Sequence, residues 1–230
     1  MPLLEVIAAS LDDALEAENG GAGRLEVVAA LGRGGLTPSL AVLDAILSRV
    51  RIPVRVMVRE SESHVVSDRR VREALLAAAR AMAQRPVDGI VVGALTGDGQ
   101  IDEPLLDEVA AAAGTRVTFH RAIEDVPDLE AALAVLGRRP FVDRVLYNGG
   151  PGSWADRVAR LARLGALAGP SLRFIVGGGV TAEALPVLAG LAMPVDVHVG
   201  RLVRRPATDT GRVSAPLVAQ VVAGLRGSSA

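Results

Sequence analysis

At 230 residues, with a formal net charge of −1, no cysteine and arginine as its only basic side chain apart from three histidines, the chain excludes disulfides, thiol nucleophiles, Cys-ligated metals and Schiff-base lysines. Half of it is apolar but only 2% aromatic, so its core must be aliphatic, and its near-neutral charge offers no long-range pull on nucleic acid or an anionic membrane. The opening residues 1–9 are short, carry Glu5 and lack a basic stretch. No uncharged run nears the ~20 residues of a membrane span, so a cytoplasmic protein without membrane contact is expected.

In chain order, short β-type runs alternate with longer Ala/Leu-rich helical runs. A strand over 3–8 precedes a helix over 10–20, opened by Ser10 and closed by Gly20. A strand over 24–28 leads to a helix over 39–50, with Ser39 placed to cap it, and a strand over 54–59 to a helix over 68–85. Strands over 89–93 and 116–120 are followed by helices over 102–113 and 128–136. Strands over 144–147, 173–176 and 195–199 are followed by helices over 154–167, 181–191 and 214–225. The strand starts recur every roughly 21 to 35 residues, the length of a βα unit. Eight equal units predict a single-domain (β/α)₈ TIM barrel over residues 1–226, with 227–230 as a frayed end. The first strand runs into Ala8-Ala9-Ser10 rather than a GxGxxG turn, which argues against an open doubly wound sheet.

Side chains alternate between the faces of a strand. In Val54-Arg55-Val56-Met57-Val58-Arg59 the valines suit the helix layer, leaving Arg55, Met57 and Arg59 facing the barrel interior. Barrel strands are otherwise near-continuous apolar runs, so interior charge is informative. The same reading turns Glu5, the pair Arg24 and Glu26, the pair Thr118 and His120, and the pair Asp196 and His198 inward. Arg55 comes early in its strand, which suits a structural ion pair at the bottom. Arg59 and His120 come at strand ends, where barrels keep their chemistry. Glu5, Glu26, Arg59, His120 and His198 are therefore expected to converge at the C-terminal mouth as candidate catalytic residues. His64, in the polar stretch 60–68, reads as a solvated or lid residue.

Two glycine-rich loops follow the seventh and eighth strands, the recurrent phosphate site of this architecture. Gly177, Gly178 and Gly179 lead through Val180 to a helix start at Thr181, and Gly200 and Arg201 follow His198. Backbone N–H groups and a helix dipole there would hold a small anion.

These segments resemble the CutC family. The resemblance is carried in order by Leu4-Glu5-Val6, Gly20-Gly21-Ala22-Gly23-Arg24-Leu25-Glu26, Gly34-Gly35-Leu36-Thr37-Pro38-Ser39, Val56-Met57-Val58-Arg59, residues 88–99, Thr118-Phe119-His120-Arg121-Ala122, Gly177-Gly178-Gly179-Val180-Thr181 and His198. It implies a TIM barrel, a role in copper homeostasis and a homo-oligomer. The chain departs from the family pattern where members carry a cysteine two residues after each of the first two strand glutamates: Ile7 and Val28 stand there. Glu60-Ser61-Glu62-Ser63-His64 replaces an aromatic, glycine-rich loop, and Asn148 stands at a serine-like position. Soft Cu(I) prefers thiolate and thioether ligands, so the missing cysteines disfavour copper as a bound cofactor; a hard or borderline metal could use Glu5, Glu26, His120 and His198, though no close ligand spacing supports one. Two function classes follow: a non-enzymatic copper-homeostasis factor, or a lyase, isomerase or hydrolase acting on a small phosphorylated or otherwise anionic metabolite. In the second, the glycine loops hold the anion, Arg59 neutralises charge, and His120 works as acid or base with Glu26 or Glu5.

Overall fold

The computed structural model describes residues 2–227. Eight parallel strands close in chain order into one barrel. They are β1 (Leu4–Ala8), β2 (Arg24–Val27), β3 (Val54–Met57), β4 (Gly89–Val92), β5 (Arg116–Phe119), β6 (Val142–Tyr147), β7 (Arg173–Val176) and β8 (Val195–Val199). The helices outside them are α1 (Leu11–Asn19), α2 (Leu40–Leu47), α3 (Arg69–Met82), α4 (Glu103–Ala113), α5 (Leu129–Gly137), α6 (Trp154–Ala168), α7 (Ala184–Ala189) and α8 (Ala215–Arg226). The expected (β/α)₈ architecture is thus the observed one.

Local chemistry explains the helix starts. Ser10, Ser39, Asp68, Asp102 and Asp128 each accept a hydrogen bond from a first-turn amide, and Ser153 forms a reciprocal capping box with Asp156. The outward strand valines, Val54 and Val56 among them, are buried with α-helical Leu43, Ile46 and Leu75 in one aliphatic core.

Strand register then sets polar side chains beside one another. Glu5 lies opposite Arg24 on one side and His198 on the other. Glu26 lies opposite Arg55. Arg55 belongs to the barrel floor: its fully buried guanidinium donates to Asp88 at 3.0 Å, Thr118 at 2.7 Å and both oxygens of Asp143 at 2.7 Å.

Three sequence expectations need correction. β3 ends at Met57, so Arg59 stands in the loop beyond it, where Thr37 clamps its backbone: Thr37 N donates to Arg59 O, and Arg59 N donates to Thr37 Oγ1, both at 2.9 Å. β6 begins at Val142, which brings Asp143 to the floor. Helix α7 begins at Ala184, not Thr181, and has six residues. Pro186 has no N–H to give the carbonyl of residue 182, so regular helix cannot extend back to the glycine loop. Beyond β8 the chain adds an unforeseen antiparallel pair, β9 (Arg204–Arg205) with β10 (Arg212–Val213). Gly227 is the C-cap of α8, and residues 228–230 of the expected frayed end lie outside the described residues.

Candidate functional site

A cavity of about 740 Å³ opens at the C-terminal mouth. Glu26, Arg59, His120 and His198 line it, together with Gly178, Gly179, Gly200 and Arg201. Glu5 lies outside the lining, buried at 1% exposure, and reaches the cavity only through His198. Gly177 is also outside the lining.

One wall is a charge array across β8, β1 and β2. Arg24 Nε donates to Glu5 Oε2 at 2.5 Å, and Arg24 Nη2 donates to Asp196 Oδ2 at 2.9 Å. His198 Nδ1 lies 2.8 Å from Glu5 Oε1, and its Nε2 lies 3.3 Å from Glu26 Oε2. The imidazole therefore bridges two carboxylates of unequal character. Burial alone would raise Glu5, but the guanidinium of Arg24 and the hydrogen bond from His198 outweigh it and hold its carboxyl well below the ordinary range. Glu26 has no arginine in contact. Burial and the charge of Glu5 push it up to about 7, against the pull of His198. His198 is raised despite its burial, because Glu26 and Glu5 both stabilise the imidazolium. Neither glutamate reaches His120 as sequence reasoning expected; both meet His198 instead.

Four steps around the barrel from β1, His120 follows β5. Its ring occupies space that only glycine at 93 leaves open: a Cβ there would stand 2.5 Å from His120 Nδ1. Nδ1 accepts from Ala122 N at 3.1 Å, which places the ring's proton on Nε2. Burial, with His64 and Arg59 nearby, drives the pKa of His120 well below that of free imidazole. The ring of His64 lies 5.0 Å from that of His120, tilted by 44°, and His64 Nδ1 lies 2.6 Å from Asp125 Oδ2. His64, read from its polar loop as a solvated or lid residue, lines the cavity. A His and an Asp 61 positions apart gave no signal in the sequence.

Arg59 turns along the rim and donates to Gly34 O at 3.0 Å and Glu62 O at 2.5 Å. Burial lowers its pKa.

On the third wall, Gly178 and Gly179 adopt φ of +75° and +92°. The amides of Gly178, Gly179 and Val180 donate to no acceptor among the described residues. The Arg121 guanidinium lies beside Gly178, within 3.3 Å of where a Cβ would stand. The expected helix dipole is weakened, since α7 starts later and Glu183 stands before it. Arg201 pairs loosely with Asp209 at 3.7 Å.

For a metal, Glu5, Glu26 and His198 each bring a donor atom within 4.8 Å of the others, a hard-to-borderline set whose charge is already partly met by Arg24. Ile7 and Val28, at the family's cysteine places, line the cavity beside Met57. No helix among the described residues is long and apolar enough to cross a membrane.

Comparison with known proteins agrees with this architecture. The CutC family model matches residues 2–202. The copper homeostasis protein CutC homologue of Mus musculus is 40% identical over 185 residues, 80% of this chain and 67% of that protein. The Homo sapiens homologue is 39% identical over 78% of this chain and 66% of that protein, so the match spans about two thirds of these relatives. The crystal structure of the copper homeostasis protein CutC from Streptococcus agalactiae superposes with a TM-score of 0.77 at 25% identity, covering 87% of this chain and 98% of that one. A phosphoribosyl anthranilate isomerase from Thermococcus kodakaraensis, at 16% identity and a TM-score of 0.61, shares the fold.

Proposed function

The chain belongs to the CutC family, and from that premise we propose that its barrel mouth is an acid–base site for a small anionic metabolite, so that any part it takes in copper homeostasis runs through this chemistry and not through holding Cu(I). One observation carries the reading. Among the described residues, four buried side-chain polar atoms lack a partner, and three of them, Glu26 Oε1, His120 Nε2 and Arg59 Nε, belong to residues lining the same cavity. Leaving a buried donor or acceptor unpaired costs about 1–3 kcal/mol. A ligand that satisfies all three recovers that cost, which is how a preformed site differs from a packing defect.

The division of labour follows from the geometry. Amides of Gly178, Gly179 and Val180, with Arg121, take the anionic end. Glu26, titrating near neutrality, holds or releases a proton at Oε1, and His198 passes charge between it and the fixed carboxylate of Glu5. His120 donates from Nε2 without becoming charged. Arg59 offers Nε to developing negative charge. Cu(I) does not fit: among the described residues, Ile7 and Val28 leave Met57 as the only soft donor lining the cavity, and one thioether does not retain Cu(I).

The test is calorimetric titration of the full chain with inorganic phosphate and with pentose and hexose phosphates, in buffers of different ionisation enthalpy. Stoichiometric binding, coupled to proton exchange that Glu26→Gln removes, is the expected result. Absence of binding across the panel, with Gly178→Val and Arg121→Gln changing nothing, returns the chain to a non-enzymatic role.

A further inference from the structure

We infer that His64 is the general base of this mouth and works with His120 on the C–H bond beside the carbonyl of a phosphorylated α-hydroxycarbonyl compound. The inference rests on the acid–base reading above and names its substrate class. It begins with hydrogen-bond polarity. The Asp125 carboxylate can only accept, so the contact of 2.6 Å puts a proton on His64 Nδ1, and in the neutral ring the lone pair is on Nε2. Ala122 N can only donate, so His120 Nδ1 carries a lone pair and its Nε2 carries a hydrogen. That hydrogen is buried and unpartnered. Two neighbouring imidazoles, tilted 44° to each other, thus offer one cavity an acceptor and a donor with centroids 5.0 Å apart, each tautomer fixed by a contact behind it.

Such a pair matches a carbon acid next to a carbonyl. His64 Nε2 takes the proton from the carbon; the C–H electron pair moves into the carbonyl, and the oxygen that gains charge receives the hydrogen bond from His120 Nε2. The proton on His64 Nε2 exchanges with solvent, and return of a solvent-derived proton to the same carbon restores the starting compound, with no oxidant or reductant entering. A ring already neutral suits the donor role, because it stabilises the oxyanion without giving up its proton. Arg121 stands beside the Gly178 loop and lines the same cavity as His64 and His120, so an anion held there shares the cavity with the two rings. Asp125 is a positioning residue: it holds the His64 tautomer and touches no substrate. The loop itself is anchored, with Leu95 N donating to His64 O at 2.8 Å.

The experiment follows deuterium incorporation by proton NMR in D₂O, with the full chain and dihydroxyacetone phosphate, a pentose phosphate and a hexose phosphate as probes, and inorganic phosphate affinity measured in parallel. Wild-type protein is expected to wash out the C–H signal of at least one probe. His64→Gln should slow this about 10²-fold or more, the usual worth of a general base, with phosphate affinity kept. Asp125→Asn should slow exchange at saturating probe while leaving half-saturation unchanged, and Asp125→Glu should restore part of the rate, a pattern that a merely structural role would not give. Wild-type protein that binds phosphate yet exchanges no probe, or His64→Gln that exchanges at the wild-type rate, overturns this inference alone. Loss of phosphate binding in the wild-type protein itself removes the underlying anion reading as well.

Discussion

His198 Nδ1 sits 2.8 Å from Glu5 Oε1 while the opposite nitrogen of the same ring faces Glu26 at 3.3 Å. Glu26 stands two residues further along its strand than the Arg24 that faces Glu5, so it lines the cavity while Glu5 lies deeper, and of the two glutamates only Glu5 forms an ion pair with Arg24. One carboxylate is thereby permanent and the other is free to titrate near the working pH, a separation typical of acid–base sites.

The first prediction concerns stability against pH. Glu26 has a folded pKa raised to about 7 from 4.5, so between these values the folded state holds a proton that the unfolded state lacks, and stability falls as pH rises through that window. His198, also raised, contributes in the same direction as it loses its proton. Glu26→Gln removes the glutamate's share. The variant should be more stable than wild type at pH 8, by on the order of 3 kcal/mol at most, and the gap should close towards pH 5. Thermal melts across that range test it; a gap independent of pH would refute the assignment.

Removing Arg24 should be costly. Its guanidinium is enclosed by Glu5 and Asp196, all three buried. Arg24→Met leaves Glu5 with His198 alone and Asp196 with the more distant Arg144 and Arg173, at 3.3 and 3.2 Å. Loss of one member of a buried ion network costs about 3–5 kcal/mol. Denaturant unfolding should show a loss of that size, whereas Arg33→Met, whose exposed pair with Glu62 is of the kind worth about 1 kcal/mol or less, should change little.

Competition against a Cu(I) chelator should find no stoichiometric submicromolar binding by the wild-type chain. The double variant Ile7→Cys with Val28→Cys should gain it, because both side chains line the cavity and pack in one cluster with Met57. Two thiolates and a thioether form the soft set that Cu(I) favours. Tight binding by the wild type would show that the carboxylate–histidine wall takes copper after all.

The barrel was legible because eight βα periods repeat along the chain, and the inward charges because strand alternation leaves a buried arginine or glutamate no other face. Depth was less legible. Alternation told which way Glu5 and Arg59 point but not that Glu5 lies beneath His198 while Arg59 stands past the strand end, since strand termini depend on loop anchors such as Thr37. The short α7 could have been read from Pro186, whose missing N–H forbids the earlier start. The pairing of His64 with Asp125 had no such signal: two long loops meet there, and their meeting depends on barrel closure and not on spacing.

Gly93 makes the last test. The His120 ring is locked by one hydrogen bond from Ala122 N, and it can approach that amide only because position 93 has no side chain. A Cβ at 93 would lie 2.5 Å from His120 Nδ1 and 2.6 Å from Cε1, distances that real contacts do not sustain, and 3.1 Å from the Ala122 Cβ behind them. Gly93→Ala must therefore push the imidazole off Ala122 N. Overpacking of this kind costs about 1–3 kcal/mol, so the melting temperature should fall by an amount that leaves the barrel folded. The informative consequence is electronic. Freed from the amide, His120 no longer has its hydrogen confined to Nε2, and the lone pair on Nδ1 is open to protonation. Long-range proton–nitrogen NMR of the wild type should show a single neutral Nε2–H tautomer for His120, and Gly93→Ala should show mixed tautomers. Wild-type spectra with the hydrogen on Nδ1, or a variant whose His120 signals do not move, would mean that the donor assigned to this wall is not the one the protein presents.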